Sequence, residues 1–389
     1  MKKLWLRYFQ IAVMTGLLAA CARVERPTTV VRAEKTDAAT LPIRDVRSKY
    51  APDHHTAVFN ITAEIEGKRA VLKGETDSSA AKAATIAAVT KAGYQVSDRI
   101  TLLPAAELGD ATFGISTLSV ASGREQPGHS AELGTQILMG HTVSVLRHSN
   151  GWYLVQSDDR YLSWVQRGAF VRCTKERVDE WNRSQLLIVT AFEDRIVEKP
   201  QPDAQSVSDI VSGCLVKKIE EVGDWFKVEL PDLRSGYLPK NAATDYEEWK
   251  RMRQPTADAI ERTAKTFMGR PYLWGGNSPK GLDCSGFTKL TFFLNGVDLN
   301  RNASQQVLQG TEVPLDAELS QLKKGDLIFF GSRRRTGRSR DVSHVGIYLG
   351  DKLFIHSSEF VRINSLDPQS PLGDERRIRT LIYARRILP

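Results

Sequence analysis

Three changes of residue pattern along 389 residues predict a multidomain chain: a small α/β module, an all-β stretch that repeats itself once, and an α+β C-terminal third. In the first, residues 57–65 alternate apolar and polar with the period of a half-buried strand. Gly67-Lys68 reads as a turn and 70–72 as a second strand. Asp77 or Ser78 caps the alanine-rich run 79–92, Gly93 ends it, and 96–103 returns to strand. From 112 the chain is all β, with short apolar runs parted by Gly140, Asn150-Gly151 and Asp158-Asp159. Asn150-Gly151 marks a tight hairpin. A similar order returns after 186. Residues 150–155 followed by 161–165 correspond to 223–228 followed by 236–238, an internal repeat at a spacing of about seventy residues. Two separate barrels or one larger β-sandwich fit this pattern, and two barrels fit the repeat better. A helix at 247–256 ends before Pro255, and the chain then turns α+β.

Bulk composition excludes little. Hydrophobic residues make up 41% and charged residues 26%, ordinary for globular domains. The formal charge of +8 suits a polyanionic environment, but the basic residues are dispersed and no nucleic-acid motif accompanies them. The N-terminus carries Lys2, Lys3 and Arg7, an apolar stretch to Ala20, and the ending Leu18-Ala19-Ala20-Cys21, the layout of an export signal. It resembles a bacterial lipoprotein signal, which implies lipidation of Cys21, a membrane anchor, and an exported, periplasm-facing protein of the cell envelope. Residues 1–21 are then signal and anchor, and the polar, proline-bearing 22–55 a flexible tether. Cys173 and Cys214 read as a disulfide or, preferably, as two buried thiols. The basic loop 333–340 reads as a solvated insertion, or as an attraction for substrate carboxylates.

The chemistry gathers in the C-terminal third. Residues 271–276 form a glycine-bearing loop, and Cys284 begins the apolar run 284–294. A cysteine at a helix N-terminus is favoured as thiolate. His344 and His356 lie on two strands flanking Gly350-Asp351. A three-residue turn at 349–351 would set 344 opposite 356, with both imidazoles on one face as base and orienting group. A metal site is the alternative for one Cys and two His, but the short ligand spacings of zinc are missing. No residue demands a metal or organic cofactor.

The motifs Pro271-Tyr272-Leu273-Trp274-Gly275-Gly276, Leu282-Asp283-Cys284-Ser285-Gly286-Phe287, 301–306, 324–330 and 343–348 resemble the NlpC-type papain-like cysteine peptidases of cell walls. The resemblance implies a papain-like catalytic domain over 255–389, a Cys284-His344-His356 triad, and Tyr272 beside the oxyanion. The repeated β units, 112–178 and 186–246, look like bacterial SH3-like barrels, and 56–111 resembles BON-type modules. Barrels before such a catalytic domain resemble the γ-D-glutamyl-L-diamino acid endopeptidases (dipeptidyl-peptidase VI). That subgroup implies hydrolysis of the bond from γ-D-Glu to L-Lys or meso-diaminopimelate in peptidoglycan stem peptides or muropeptides with a free N-terminal L-Ala. Asp283 and Ser304 are implied to bind the amine end, with Glu132 and Tyr161 reaching in from the first barrel. An endopeptidase or amidase on intact peptidoglycan, and a non-catalytic wall-binding protein, are the competing readings.

Overall fold

The computed structural model describes residues 40–253, 255–332 and 341–389; Cys21, most of the expected tether and the basic loop 333–340 lie outside the described residues. Within 40–55 the expected flexible tether is instead a helix, Thr40–Tyr50, followed by an ordered segment. Ile43, Val46 and Tyr50 lie three and four residues apart. Their stripe packs onto the helix Ser79–Lys91, and Pro42 sits in the first turn, where its missing N–H costs nothing. The strands Thr62–Glu66 and Arg69–Thr76 pair antiparallel. Gln95–Leu102 returns parallel to Arg69–Thr76 through the Ser79–Lys91 crossover, with Ser78 as its N-cap.

The two β units share one winding. In each, seven antiparallel strands are ordered seventh, first, fourth, fifth, sixth, second, third, and a short 3-10 turn precedes the last strand. In the first unit the hairpin joining Thr142–Ser149 to Trp152–Ser157 turns at Asn150 and Gly151, both at positive φ (48° and 81°), as the Asn-Gly pair predicts. The N-terminal module is not loosely tethered to this unit. Val58, Leu103 and Ala105 from the module bury together with Leu146, Trp152, Leu154, Leu162 and Trp164 of the first unit, and Arg147 pairs with Glu75 at 2.8 Å. Cys173 and Cys214 are free and buried in different cores.

In the C-terminal third the helix Cys284–Phe293 lies buried along almost its whole length against an antiparallel sheet. The strand order is Thr311–Glu312, Leu381–Arg386, Leu327–Gly331, Val342–Gly350, Leu353–Ser358, Phe360–Ser365. Phe287 and Leu290 from the helix meet Val345, Ile347 and Ile355 from the sheet, which fixes the height of the helix N-terminus over the central strands. Among the described residues no helix is long and apolar enough to cross a membrane.

Because the module and the first β unit share a core, Leu146→Ala is expected to cost about 2–5 kcal/mol. Urea denaturation should show both parts unfolding together; separate transitions would mean that they fold independently.

Candidate active site

Cys284 is the first residue of its helix, with Asp283 as N-cap. Its sulfur meets the backbone N–H groups of Ser285 and Val345, the latter being the residue after His344. This brings the thiol against the strand that carries the first imidazole. The backbone N–H of Cys284 itself lies in the unsatisfied first turn, and Tyr272 stands close enough to feel the sulfur's charge. A donor pair at that point can stabilise an oxyanion.

The two histidines share a face, but not in the expected register. Ile347 pairs with Ile355 and Tyr348 with Phe354; Leu349 is a bulge, and the tight turn lies at Asp351 and Lys352, both at positive φ. His356 therefore stands against Gly346, two residues from His344, instead of directly opposite it. The glycine is what makes this work: a Cβ at 346 would come within 3.2 Å of the His356 Cβ. The His356 ring leans across that gap, and its Nδ1 comes within 2.7 Å of His344 Nε2.

Asn364, not singled out from the sequence, fixes the direction of this chain. Its Nδ2 donates to the Leu372 carbonyl (3.1 Å), so its Oδ1 accepts from His356 Nε2 at 2.9 Å. His356 Nδ1 is then an acceptor, and His344 Nε2 donates to it. His344 Nδ1 is left bare, available as a base. Burial, with Arg377 and His356 adding to it, holds His344 well below its ordinary value. Burial likewise lowers His356 to about 4.

The thiolate expected at the helix N-terminus is not favoured at rest. Burial, reinforced by the Asp283 carboxylate, pushes the Cys284 thiol up to about 12 and outweighs the helix end. The resting pair is thus neutral thiol and neutral imidazole, and the proton must move to His344 as the sulfur attacks.

Asp283 is more committed than the sequence suggests. Its carboxylate accepts from the N–H groups of Gly286 (2.7 Å) and Gly275 (3.0 Å) and from Ser285 Oγ (3.2 Å). The Arg301 guanidinium forks onto both oxygens, at 3.2 and 2.6 Å. Arg301 is 1% exposed and also donates through Nε to Thr135 Oγ1 of the first β unit (3.2 Å). Ser304 is half-buried on the short helix Ala303–Gln306 beside Arg301.

Tyr161 is buried and donates its hydroxyl to a carboxylate, but the partner is Glu125 at 3.1 Å, not the expected Glu132. The two acids face each other across one hairpin, the Glu125 N–H donating to the Glu132 carbonyl. Glu132 is exposed, while the Glu125 side chain is half-buried and turns towards Tyr161. Among the described residues, Asp53, His54 and His55 form the group with metal-ligand spacing. Both oxygens of Asp53 are already engaged, one by His55 and the other by Gln305.

Residues 269–377 match the model of the NlpC/P60 family, and 123–170 match that of the bacterial dipeptidyl-peptidase Sh3 domain. The chain is 30% identical over 262 residues to Dipeptidyl-peptidase 6 of Lysinibacillus sphaericus, covering 64% of this chain and 89% of that protein. It is 30% identical over 266 residues to the gamma-D-glutamyl-L-lysine dipeptidyl-peptidase of Bacillus cereus, covering 66% and 76%. A crystal structure of an NlpC/P60 family protein from Bacillus cereus superimposes with a TM-score of 0.61 at 26% identity, covering 71% of this chain and 100% of that one. The chain belongs to the NlpC/P60 family and is a cysteine peptidase.

Three outcomes are expected. Arg301→Met leaves the Asp283 charge buried without its partner and should cost about 3–5 kcal/mol in denaturant unfolding. Because His344 serves as a base only while neutral, and its value lies below the ordinary 6.5, kcat/KM should hold as pH falls to that point and drop only further down. With the thiol raised, the rate should stay flat across roughly pH 7 to 9; a tenfold climb per pH unit there would mean attack by free thiolate.

Proposed function

We propose that this peptidase hydrolyses the bond between γ-D-Glu and the diamino acid, L-Lys or meso-diaminopimelate, in peptidoglycan stem peptides that begin with a free L-Ala, in wall turnover or recycling. The relatives named as dipeptidyl-peptidases support the substrate class. In this reading the Cys284 sulfur attacks the γ-carbonyl while His344 Nδ1 takes its proton. The oxyanion is met by the Cys284 N–H and Tyr272. His344 then returns the proton to the departing amine, and water hydrolyses the thioester. His356 and Asn364 keep His344 in the tautomer that does this.

The observation that carries the dipeptide specificity is the bond from the Tyr161 hydroxyl to Glu125, 3.1 Å, on the first β unit. Glu125, oriented by Tyr161, is a partly buried carboxylate whose second oxygen makes no hydrogen bond among the described residues. An N-terminal ammonium there gains a charge-assisted bond that a blocked amine cannot make. Asp283 acts mainly by anchoring Arg301 and the loop, its oxygens being already engaged, and Ser304 borders the same place. The second β unit, sharing the strand order of the first, is read as a second SH3-like barrel that buttresses the catalytic domain. Export and lipidation at Cys21 would hold the enzyme at the cell envelope.

Cys284→Ala should abolish release of L-Ala-γ-D-Glu from L-Ala-γ-D-Glu-L-Lys, followed by mass spectrometry, with the fold retained. Acetylating the substrate's amine should lower kcat/KM by roughly 10²-fold. Equal cleavage of the two peptides would remove the dipeptide reading and favour an enzyme of intact wall.

A further inference from the structure

Neither family model reaches residues 40–111, yet the chain just after the first helix enters the neighbourhood of the active site. Its backbone is pinned to the first β unit: the Leu162 N–H donates to the His55 carbonyl (2.7 Å), and Gln156 Nε2 donates to the Thr56 carbonyl (2.9 Å). Its side chains reach both walls of the proposed amine site. Gln305, the neighbour of Ser304, donates through Nε2 to Asp53 Oδ2 at 2.6 Å. Asp53 Oδ1 holds His55 through its backbone N–H (2.9 Å) and its Nδ1 (3.1 Å). The His55 ring then stacks on Tyr161, with centroids 5.2 Å apart and planes inclined by 19°. Tyr161 is the residue whose hydroxyl orients Glu125.

The His54 ring lies against His55, centroids 3.9 Å apart and planes tilted by 38°, and feels the Glu125 charge. Together His54, His55 and Glu125 border a cavity of about 240 Å³ between the module and the first β unit, whose far side holds Glu75, Arg147 and Trp164. Burial works against the Asp53 charge, but the bonds from His55 and Gln305 more than offset it and keep the carboxyl ionised. The space beyond Glu125 is thus a small chamber walled by an added piece of chain.

We propose that the 53–55 segment is a specificity element supplied by the N-terminal module: it closes the substrate groove beyond Glu125 and Tyr161, so that only peptides ending there in a free ammonium are accepted. His55 is a positioning residue, since it touches Tyr161 and sets the direction of the hydroxyl. Asp53 and Gln305 clamp the segment between the two domains that share the site. An acyl group on the substrate's nitrogen would run into the His54 and His55 rings, and the neutral amide would lose the charge-assisted bond to Glu125. This inference rests on the amine-recognition reading above.

The test uses the full chain, with L-Ala-γ-D-Glu-L-Lys and its N-acetyl form as paired substrates. In His55→Ala, KM for the free peptide should rise about tenfold with kcat changed less than about twofold. The preference for the free over the acetylated peptide should fall about tenfold as well. His55→Phe keeps a flat ring on Tyr161 and should restore most of that preference, which a merely structural loss would not do. If His55→Ala does not fold, Asp53→Ala frees the same segment from Gln305 and should lower the preference in the same direction. An unchanged preference in whichever variant folds overturns the proposal. Failure of the wild-type enzyme itself to discriminate would instead overturn the amine-recognition reading.

Discussion

The buried ion pair between Arg301 and Asp283 is the constraint on which the rest of the site depends. Asp283 caps the helix that carries Cys284, and Arg301 holds that cap from below while reaching Thr135 in the first β unit. Such a pair is costly to desolvate and is tolerated only when both partners find further hydrogen bonds: Asp283 accepts from Gly275, Gly286 and Ser285, and Arg301 donates to Thr135 and Ser285. Its yield is geometric. The nucleophile, the glycine loop at Gly275 and the wall of the β unit are fixed to one another by a single guanidinium.

Around that anchor the domains behave as one body. Asn277 and Gln136 exchange hydrogen bonds across the boundary, the Asn277 N–H donating to Gln136 Oε1 (2.9 Å) and Asn277 Oδ1 accepting the Gln136 N–H (2.7 Å). The module at the N-terminus joins the same assembly through the cluster around Trp152 and Trp164. A site shared by several domains needs such fixed boundaries, because a shift of one ångström between carboxylate and nucleophile would spoil the placement of a short peptide.

Much of this was legible in the sequence, and the failures have identifiable causes. The Asn150-Gly151 turn and the paired imidazoles follow from local rules: residues that need positive φ, and the two-residue period of a strand. The register of the histidine hairpin did not follow. A bulge at Leu349 and a two-residue turn at 351–352 shift the pairing by two while keeping the same face, so the right conclusion came from the wrong pairing. Glu132 rests on the resemblance of a short motif, and only the three-dimensional course of the hairpin shows that its cross-strand neighbour Glu125 meets Tyr161. The helix at 40–50 is hard to read from the sequence because its apolar stripe is short and Pro42, with Pro27 and Pro52 around it, suggests a tether. Arg301 and Asn364 lie far in sequence from the groups they hold, and periodicity carries no information about such partners. The expectation of a resting thiolate weighed the helix end alone and left out the cost of burying a charge.

The relay behind His344 ends on the carbonyl of Leu372, a main-chain group, while the Leu372 side chain points into solvent. A backbone oxygen is present whatever amino acid occupies the position. The last link that orients the base is therefore immune to drift at residue 372, so long as the loop keeps its path. Selection acts there on the course of the chain, and the identity of the residue is left free.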